Sequence, residues 1–409
     1  MDRDSLRRLR AQPGYLAFVS AATLARVSDE MFSVGVVLLV LDRTDSPALA
    51  GVVVSAVSLP SLLTAPLLGA WLDATGRRRP LMVMDQLLIA GVLVALVAAI
   101  GNAPNWTIPL IVLLAGLTYP LSFGGFTSLI PAIVPEELLA PANAFETSSF
   151  NFALVIGPAL AGTLSATLGP SAPLLLEAAL ALGALALILR IPGIDGTGEA
   201  PDRPLGQVAV EGLRQIVEVP ELRGVTAAGA LGLAGMGLLA VGFPIFAVEH
   251  LDAPRSDAGY MWAAFAVGST VGALALVRLQ DRIPPWRIVV TALPVFGALM
   301  LTWPLAGSLA VMLCLIALAA LADGPALAAT FATRQQLVPS SLHGQVFTTA
   351  AGFKVGSFAA GAALGGPIAS GLGSADAIVI AAMAQFAAAA VGVTLMKLPA
   401  RRAAAAVQR

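Results

Sequence analysis

Three ionisable residues lie inside one long apolar segment near the N-terminus. Arg26, Asp29 and Glu30 are spaced i, i+3 and i+4, so a helix would place all three on one face. One arginine cannot neutralise two carboxylates, and if Arg26 pairs with Asp29, Glu30 is left as the natural proton acceptor. We therefore predict that Asp29 or Glu30 takes up and releases a proton during a functional cycle. The alternative is a static salt bridge that orients the helix.

A second pair of charges lies in the C-terminal part of the chain. Asp323 is ten residues before Thr333, where one apolar segment ends, and Lys354 is ten residues after Gly344, where the next begins. Antiparallel helices would bring the two side chains to equal depth, so we predict an ion pair, with a purely structural role as the alternative. The sequence Asp323-Gly324-Pro325 also predicts a local break in its helix.

Apolar segments of membrane-spanning length position these charges. The chain has 409 residues, of which 58% are hydrophobic and only 11% charged, whereas a soluble domain carries about 25% charged residues. A helix needs about 20 apolar residues to cross the hydrocarbon core. On that basis we predict an all-α membrane protein with twelve transmembrane helices, near 14–41, 48–72, 81–101, 107–131, 141–168, 172–190, 222–249, 257–279, 287–306, 308–333, 344–371 and 376–397.

The arginines predict the orientation of these helices. Loops on one side hold Arg77, Arg78, Arg79 and eight further arginines, whereas the opposite loops hold only Arg43 and Arg255. Basic loops stay in the cytoplasm, so we expect both termini to be cytoplasmic.

The longest polar stretch predicts how the chain is divided. We predict an N-terminal six-helix half over 1–190, a cytoplasmic linker over 191–221 and a C-terminal six-helix half over 222–409. Within the linker, residues 205–218 carry apolar residues on one face, which is typical of a helix lying on the membrane surface.

A short basic turn follows the second predicted helix. It contains Gly69, Asp73, Gly76, Arg77 and Arg78. Glycine permits a close approach or a tight turn, and Asp73 could cap a neighbouring helix N-terminus. A plain basic cytoplasmic turn is the alternative.

This pattern resembles the motif between helices two and three of the major facilitator superfamily, and the resemblance extends over the twelve predicted helices. It implies a cytoplasmic gate between the two halves that must open during transport. We expect Asp85, one turn into the next helix, to pair with the arginines of the basic turn and belong to this gate.

The fifth predicted helix contains Gly157, Pro158 and Gly162. It is similar to a motif of superfamily exporters, in which the glycines face the other half, although ordinary small-residue packing is the alternative. The chain looks most like bacterial multidrug and macrolide-type exporters. It departs from the drug–proton antiporters in having no basic residue in the fourth predicted helix. Glu177 lies deep in the sixth helix, which in the family supports the transport path without lining it.

The sequence thus predicts a multi-pass protein of the bacterial cytoplasmic membrane. We expect a monomeric secondary transporter that exports small lipophilic or cationic compounds by alternating access, coupled to proton influx. A proton-coupled uptake symporter for a small metabolite is the alternative. We expect no enzyme activity, metal, cofactor or nucleic-acid partner, because the predicted helices contain no histidine and the chain has no phosphate-binding loop of the Walker type.

Overall fold

The computed structural model describes residues 3–61, 64, 68, 77–121, 126, 129–195, 205–275, 282–338 and 343–398. All regular structure in these ranges is helical. The first helix group consists of α1 (Arg3–Ala11), α2 (Tyr15–Thr44), α3 (Pro47–Ser58), α4 (Arg78–Ala99), α5 (Thr107–Pro120), α6 (Ile130–Ile133), α7 (Leu139–Leu168) and α8 (Ala172–Ile188).

The second helix group follows the linker helix α9 (Leu205–Glu218). It consists of α10 (Pro220–Leu251), α11 (Ala258–Ala275), α12 (Pro285–Met300), α13 (Leu309–Leu337), α14 (His343–Gly371) and α15 (Ser374–Lys397). Within the described residues, three short 3₁₀ helices cover Glu136–Leu138, Arg255–Asp257 and Trp303–Leu305.

Length and hydropathy confirm a protein rich in potential membrane spans. Seven stretches of the described chain are long and apolar enough to cross a bilayer, and three shorter helices are also apolar. Two of those shorter helices, α3 and α5, lie where spans 48–72 and 107–131 were predicted, and much of the rest of those ranges falls outside the described residues. The count of twelve spans and the orientation of the termini stay predictions.

The start of the linker packs against the first helix group. Gly14, with φ of 80°, begins α2 directly beside Pro192, where a side chain on the glycine would collide with the proline ring. Arg79 donates through its guanidinium to the carbonyl of Ile191 and through its backbone N–H to Asp195 at 2.9 Å. We call the face of the molecule with these contacts the linker face.

The predicted linker helix is confirmed over Leu205–Glu218, but only part of its apolar face is free for a membrane surface. Ile216 is buried against Val338 and Val346 of the second helix group. Leu213 and Val217 remain exposed.

Helices of the second group approach one another through glycines. A Cβ added at Gly268 or Gly272 of α11 would collide with backbone atoms of α13, and one added at Gly324 of α13 would collide with the carbonyl of Ser269. Such contacts replace side-chain interdigitation by direct backbone packing, which is how helices associate in an apolar solvent.

The expected helix break at Asp323-Gly324-Pro325 is wrong. Helix α13 continues through Pro325 to Leu337. Proline is tolerated within membrane helices because neighbouring helices and polar groups compensate for the missing hydrogen bond. The close contact of Gly324 with α11 holds the segment in place.

We predict that Gly324→Ala lowers stability by about 1–3 kcal/mol, the usual cost of overpacking. The new methyl group would collide with backbone, which cannot move aside as a flexible side chain can. Denaturant titration of the detergent-solubilised protein measures the change. Gly91→Ala is the matched control, because nothing lies within 4 Å of the methyl group it adds. Equal stability of the two variants would contradict the packing argument.

Candidate functional site

Arg26 of α2 is almost fully buried and has its carboxylate partner on another helix. Its guanidinium forms an ion pair with Glu146 of α7 and donates to the hydroxyl of Ser149 at 3.1 Å. The guanidinium also lies 5.8 Å from the ring centre of Phe150. The pairing of Arg26 with Asp29, which the sequence analysis considered as one possibility, does not form, because α7 presents a carboxylate to the arginine across the helix interface.

Glu30 lies on the side of α2 that packs against α7. A Cβ added at Gly157 would come within 2.6 Å of the Glu30 Cβ. Gly157 thus makes room for Glu30 within the first helix group. The exporter resemblance had implied that Gly157 faces the second group, and it does not. The described part of the chain offers the Glu30 carboxylate no hydrogen bond or ion pair.

Asp29 faces away from Arg26 into a small pocket inside the first helix group. Asp29, Ser28 and Phe32 of α2 line it together with Tyr119 of α5 and Glu177 of α8. The three charges that the sequence placed on one helix face are therefore divided between two environments.

Asp323 and Lys354 do not form the predicted ion pair. The Asp323 carboxylate accepts a hydrogen bond at 3.0 Å from Ser269 of α11, and the described residues contain no ion pair that joins it to Lys354. The two charges are close enough to interact electrostatically. The tight α11–α13 packing brings the Ser269 hydroxyl to the carboxylate, and the sequence spacing gave no signal of this.

The structure describes three of the six residues of the predicted cytoplasmic gate, Arg77, Arg78 and Asp85. Gly69, Asp73 and Gly76 lie outside the described residues. Asp85 is buried and accepts a hydrogen bond at 2.8 Å from Gln86. The contacts of Arg79 are with the linker, so this arginine is not the partner of Asp85. Pairing of Asp85 with the other arginines of the basic turn stays a prediction.

The two helix groups meet at the face opposite the linker face. Arg255, before α11, donates to the carbonyl of Leu41 at 2.8 Å and pairs with Asp45 at 3.2 Å, both at the C-terminal end of α2. We call this the Arg255 face. An arginine suits this position because helix C-termini carry unpaired carbonyls and partial negative charge.

Close helix packing supports this contact between the groups. Gly162 of α7 lies against Gly259 of α11, and the Thr163 and Tyr260 hydroxyls are 2.9 Å apart. Gly162 therefore does face the other group, as the exporter resemblance had implied. The Ser55 hydroxyl donates to the carbonyl of Ala359 at 2.5 Å.

Comparison with known proteins decides the family. The Major Facilitator Superfamily model matches residues 18–365. The chain belongs to the major facilitator superfamily. The MFS-type transporter y4rN of Sinorhizobium fredii is 30% identical over 89% of this chain and 90% of its own length. The multidrug efflux pump Tap of Mycobacterium bovis is 28% identical over 78% of each chain.

Solved structures agree with this assignment at the level of fold. A bacterial homologue of the iron transporter ferroportin, solved in an inward-facing state, superimposes with a TM-score of 0.71 at 16% identity, over 94% of this chain and 98% of the homologue. The family match and the two transporter relatives confirm the prediction of a multi-pass transporter of the bacterial cytoplasmic membrane, and not an enzyme.

For this superfamily member we predict that Glu146→Leu lowers the free energy of unfolding by about 3–5 kcal/mol, because it leaves Arg26 charged, buried and unpaired. The double variant Arg26→Met with Glu146→Leu should recover most of the loss, since an apolar pair can replace a buried ion pair. Denaturant titration in detergent measures all variants.

The matched control is Glu137→Leu, at an exposed glutamate, which should change stability by no more than about 0.5 kcal/mol. If Glu146→Leu proved as stable as this control, the ion pair between Arg26 and Glu146 would not contribute to stability.

We also predict that Arg255→Ala opens the Arg255 face. Losing an exposed ion pair and a helix cap should destabilise the closed Arg255 face by about 1 kcal/mol. The fraction of molecules in which this face is open should then rise about fivefold. In a Cys314→Ser background, a cysteine introduced by Thr163→Cys should react about fivefold faster with a membrane-impermeant thiol reagent.

Arg43→Ala provides the control for this experiment. Arg43 lies on the same face but donates to Val97, Ile100 and Ser171 within the first helix group. It should leave the labelling rate unchanged. Equal acceleration by both variants would show that Arg255 has no specific part in closing this face.

Proposed function

We propose that this protein is a secondary exporter of small lipophilic or cationic compounds, coupled to proton influx. The observation that carries the proposal is the division of charge along α2. Arg26 is neutralised by Glu146, whereas Glu30 has no ion pair among the described residues. A carboxylate in this position can exchange a proton without breaking a salt bridge. The similarity to the multidrug efflux pump Tap supports export.

The proposed architecture is two six-helix halves, 1–190 and 222–409, joined by the linker 191–221, in a monomer with both termini in the cytoplasm. The linker face would then be cytoplasmic. The hydrogen bonds that join the two groups in the described chain lie toward the Arg255 face. Such an arrangement supports a resting state closed to the outside and accessible from the cytoplasm.

Alternating access requires a second set of contacts that forms when the outside opens. We assign this role to the cytoplasmic gate of Gly69, Asp73, Gly76, Arg77, Arg78 and Asp85. In the second helix group, Asp323 and Lys354 would supply charge near the substrate path. Arg26 would act indirectly, by orienting α2 and α7.

The helix-five residues Gly157, Pro158 and Gly162 serve two contacts in this proposal. Gly157 accommodates Glu30 within its own group, and Gly162 permits close contact with Gly259 across the groups. A carbonyl at Pro158 also lies against Gly259. This segment of α7 therefore contacts both Glu30, the proposed proton acceptor, and Gly259, from which it must separate when the Arg255 face opens.

Everted membrane vesicles test the proposal. Lipophilic cations added to vesicles with a pre-formed pH gradient should partly collapse that gradient, as followed by a fluorescent weak base. Glu30→Gln should abolish the collapse because it removes a titratable group, while direct binding of the same cations persists. Transport by the unaltered protein should depend on pH, and transport by Glu30→Gln should not.

Glu137→Gln is the control, since it removes an exposed carboxylate of similar chemistry and should behave as the unaltered protein does. Uptake of a labelled metabolite without any response to lipophilic cations would instead indicate a symporter. Unchanged pH dependence in Glu30→Gln would exclude Glu30 as the coupling residue.

A further inference from the structure

A lysine in the middle of α14 has no direct partner among the described residues. Lys354 is partly exposed, and no hydrogen bond or ion pair of the described chain reaches its ammonium group. The proposed cycle gives it only a general role as a charge near the substrate path. Since a charge at membrane depth is costly unless it borders a cavity or a counter-charge, the surroundings of Lys354 decide what this ammonium serves.

The position of Lys354 on α14 turns it away from lipid. Gly361 and Gly365 follow it by seven and eleven residues, which places all three on one face of the helix. A Cβ added at either glycine would collide with a carbonyl oxygen of α10. The large exposed apolar residues of α14, Phe353 and Leu364, lie on a different face. Lys354 therefore faces α10 and the interior of the protein.

An opening lies between this face of α14 and helix α13. Helix α13 packs mainly on α11 and α12, whereas α14 packs on α10 and α3. Asp323 and Arg334 of α13 nonetheless both interact electrostatically with Lys354. In the described chain these charges thus act on one another across space and are not joined by a direct bond.

Helix α10 leaves room beside Lys354. It runs parallel to α14, and Gly361 touches Ala234, so Lys354 lies at the level of Ala227, seven residues earlier on both helices. Ala227 and Ala230 are partly exposed, and their side chains are too small to fill the adjacent space. The opening beside the lysine can therefore accept a group from outside the chain.

The charges around the opening favour an anionic group. The Asp323 carboxylate is bonded to Ser269 of α11 at 3.0 Å. It offsets the charge of Lys354 only from a distance, and Arg334 opposes that offset. An anionic group that enters the opening would make the direct contact that the described chain does not supply. Such contacts between charged groups are strong where water is scarce.

The first helix group offers a carboxylate at a comparable depth. Glu30 lies fourteen residues before the end of α2 at the Arg255 face, or about 21 Å. Helix α14 ends at the same face, where Ser374 at the start of α15 donates to Glu249 near the end of α10. Lys354 lies seventeen residues before that end, or about 26 Å. A compound between the two groups could therefore meet both charges.

We propose that Lys354 binds an acidic group of the transported compound, and that the preferred compounds are lipophilic molecules with both a basic and an acidic group. The basic group would meet Glu30, and the acidic group would meet Lys354. This inference rests on the proposed export function and names its substrate class. A purely cationic compound would place no opposite charge beside Lys354.

Rhodamine B and its ethyl ester form a matched pair of probes for this site. Both are lipophilic dyes with the same cationic ring system, but only rhodamine B carries a carboxylate. Fluorescence anisotropy of each dye, titrated with the full-length protein in detergent, measures the dissociation constant. The unaltered protein should bind rhodamine B about tenfold more tightly than the ester, because only the carboxylate can contact the ammonium.

Lys354→Met should remove this preference by weakening the binding of rhodamine B about tenfold while the affinity for the ester stays unchanged. Lys354→Arg keeps the positive charge and should retain the preference. Lys397→Met, at an exposed lysine at the end of α15, is the matched control and should bind both dyes as the unaltered protein does. Equal losses for both dyes in Lys354→Met would indicate a structural role and overturn the proposal.

If Lys354→Met does not fold, the two dyes decide the matter on the unaltered protein. Equal affinity for both dyes, or tighter binding of the ester, would exclude a contact between the carboxylate and Lys354.

The outcome is separable from that of the proposed function. A dye preference that depends on Lys354 can be found even if vesicles show no collapse of the pH gradient, in which case proton-coupled export alone fails. Conversely, proton-coupled export of lipophilic cations without any distinction between the two dyes would leave the export function standing and remove the acidic-group site.

Discussion

The organisation of the first helix group depends on how it neutralises a charge that water does not reach. An unpaired guanidinium in an apolar interior is too costly to persist, so its partner must be supplied by the fold. Arg26 obtains Glu146 from a helix that begins more than a hundred residues later. That pairing ties α2 to α7 and leaves two further carboxylates of α2 to be accommodated in other ways.

Close packing in the second group has a different origin. In lipid there is little hydrophobic gain from bringing helices together, so contact depends on van der Waals packing and a few polar bonds. The glycines of α11 and α13 allow backbone to touch backbone, and the Ser269–Asp323 hydrogen bond lies in the same interface. These helices are expected to move together, so rearrangement would be concentrated between the groups.

The sequence predicted the local structure well and the contacts poorly. Hydropathy placed the fifth span at 141–168, and the helix runs over Leu139–Leu168. Spacing along α2 suggested Asp29 as one possible partner of Arg26, because spacing considers a single helix in isolation. Spacing within one helix does not reveal which neighbouring helix supplies a better partner. Here the partner is Glu146 of α7. The family motif correctly predicted that Gly162 faces the second group, but it did not predict that Gly157 packs against Glu30. A motif within one helix does not specify which neighbour each glycine meets.

The contact made by Arg255 joins two interactions of unlike character. Asp45 is 81% exposed, so dissolved ions at about 0.15 M screen much of its attraction to the arginine. The bond to the Leu41 carbonyl is directional and far less affected by dissolved ions. Raising the salt concentration should therefore weaken the ion pair and leave the bond to the carbonyl in place, so that salt loosens this contact without abolishing it.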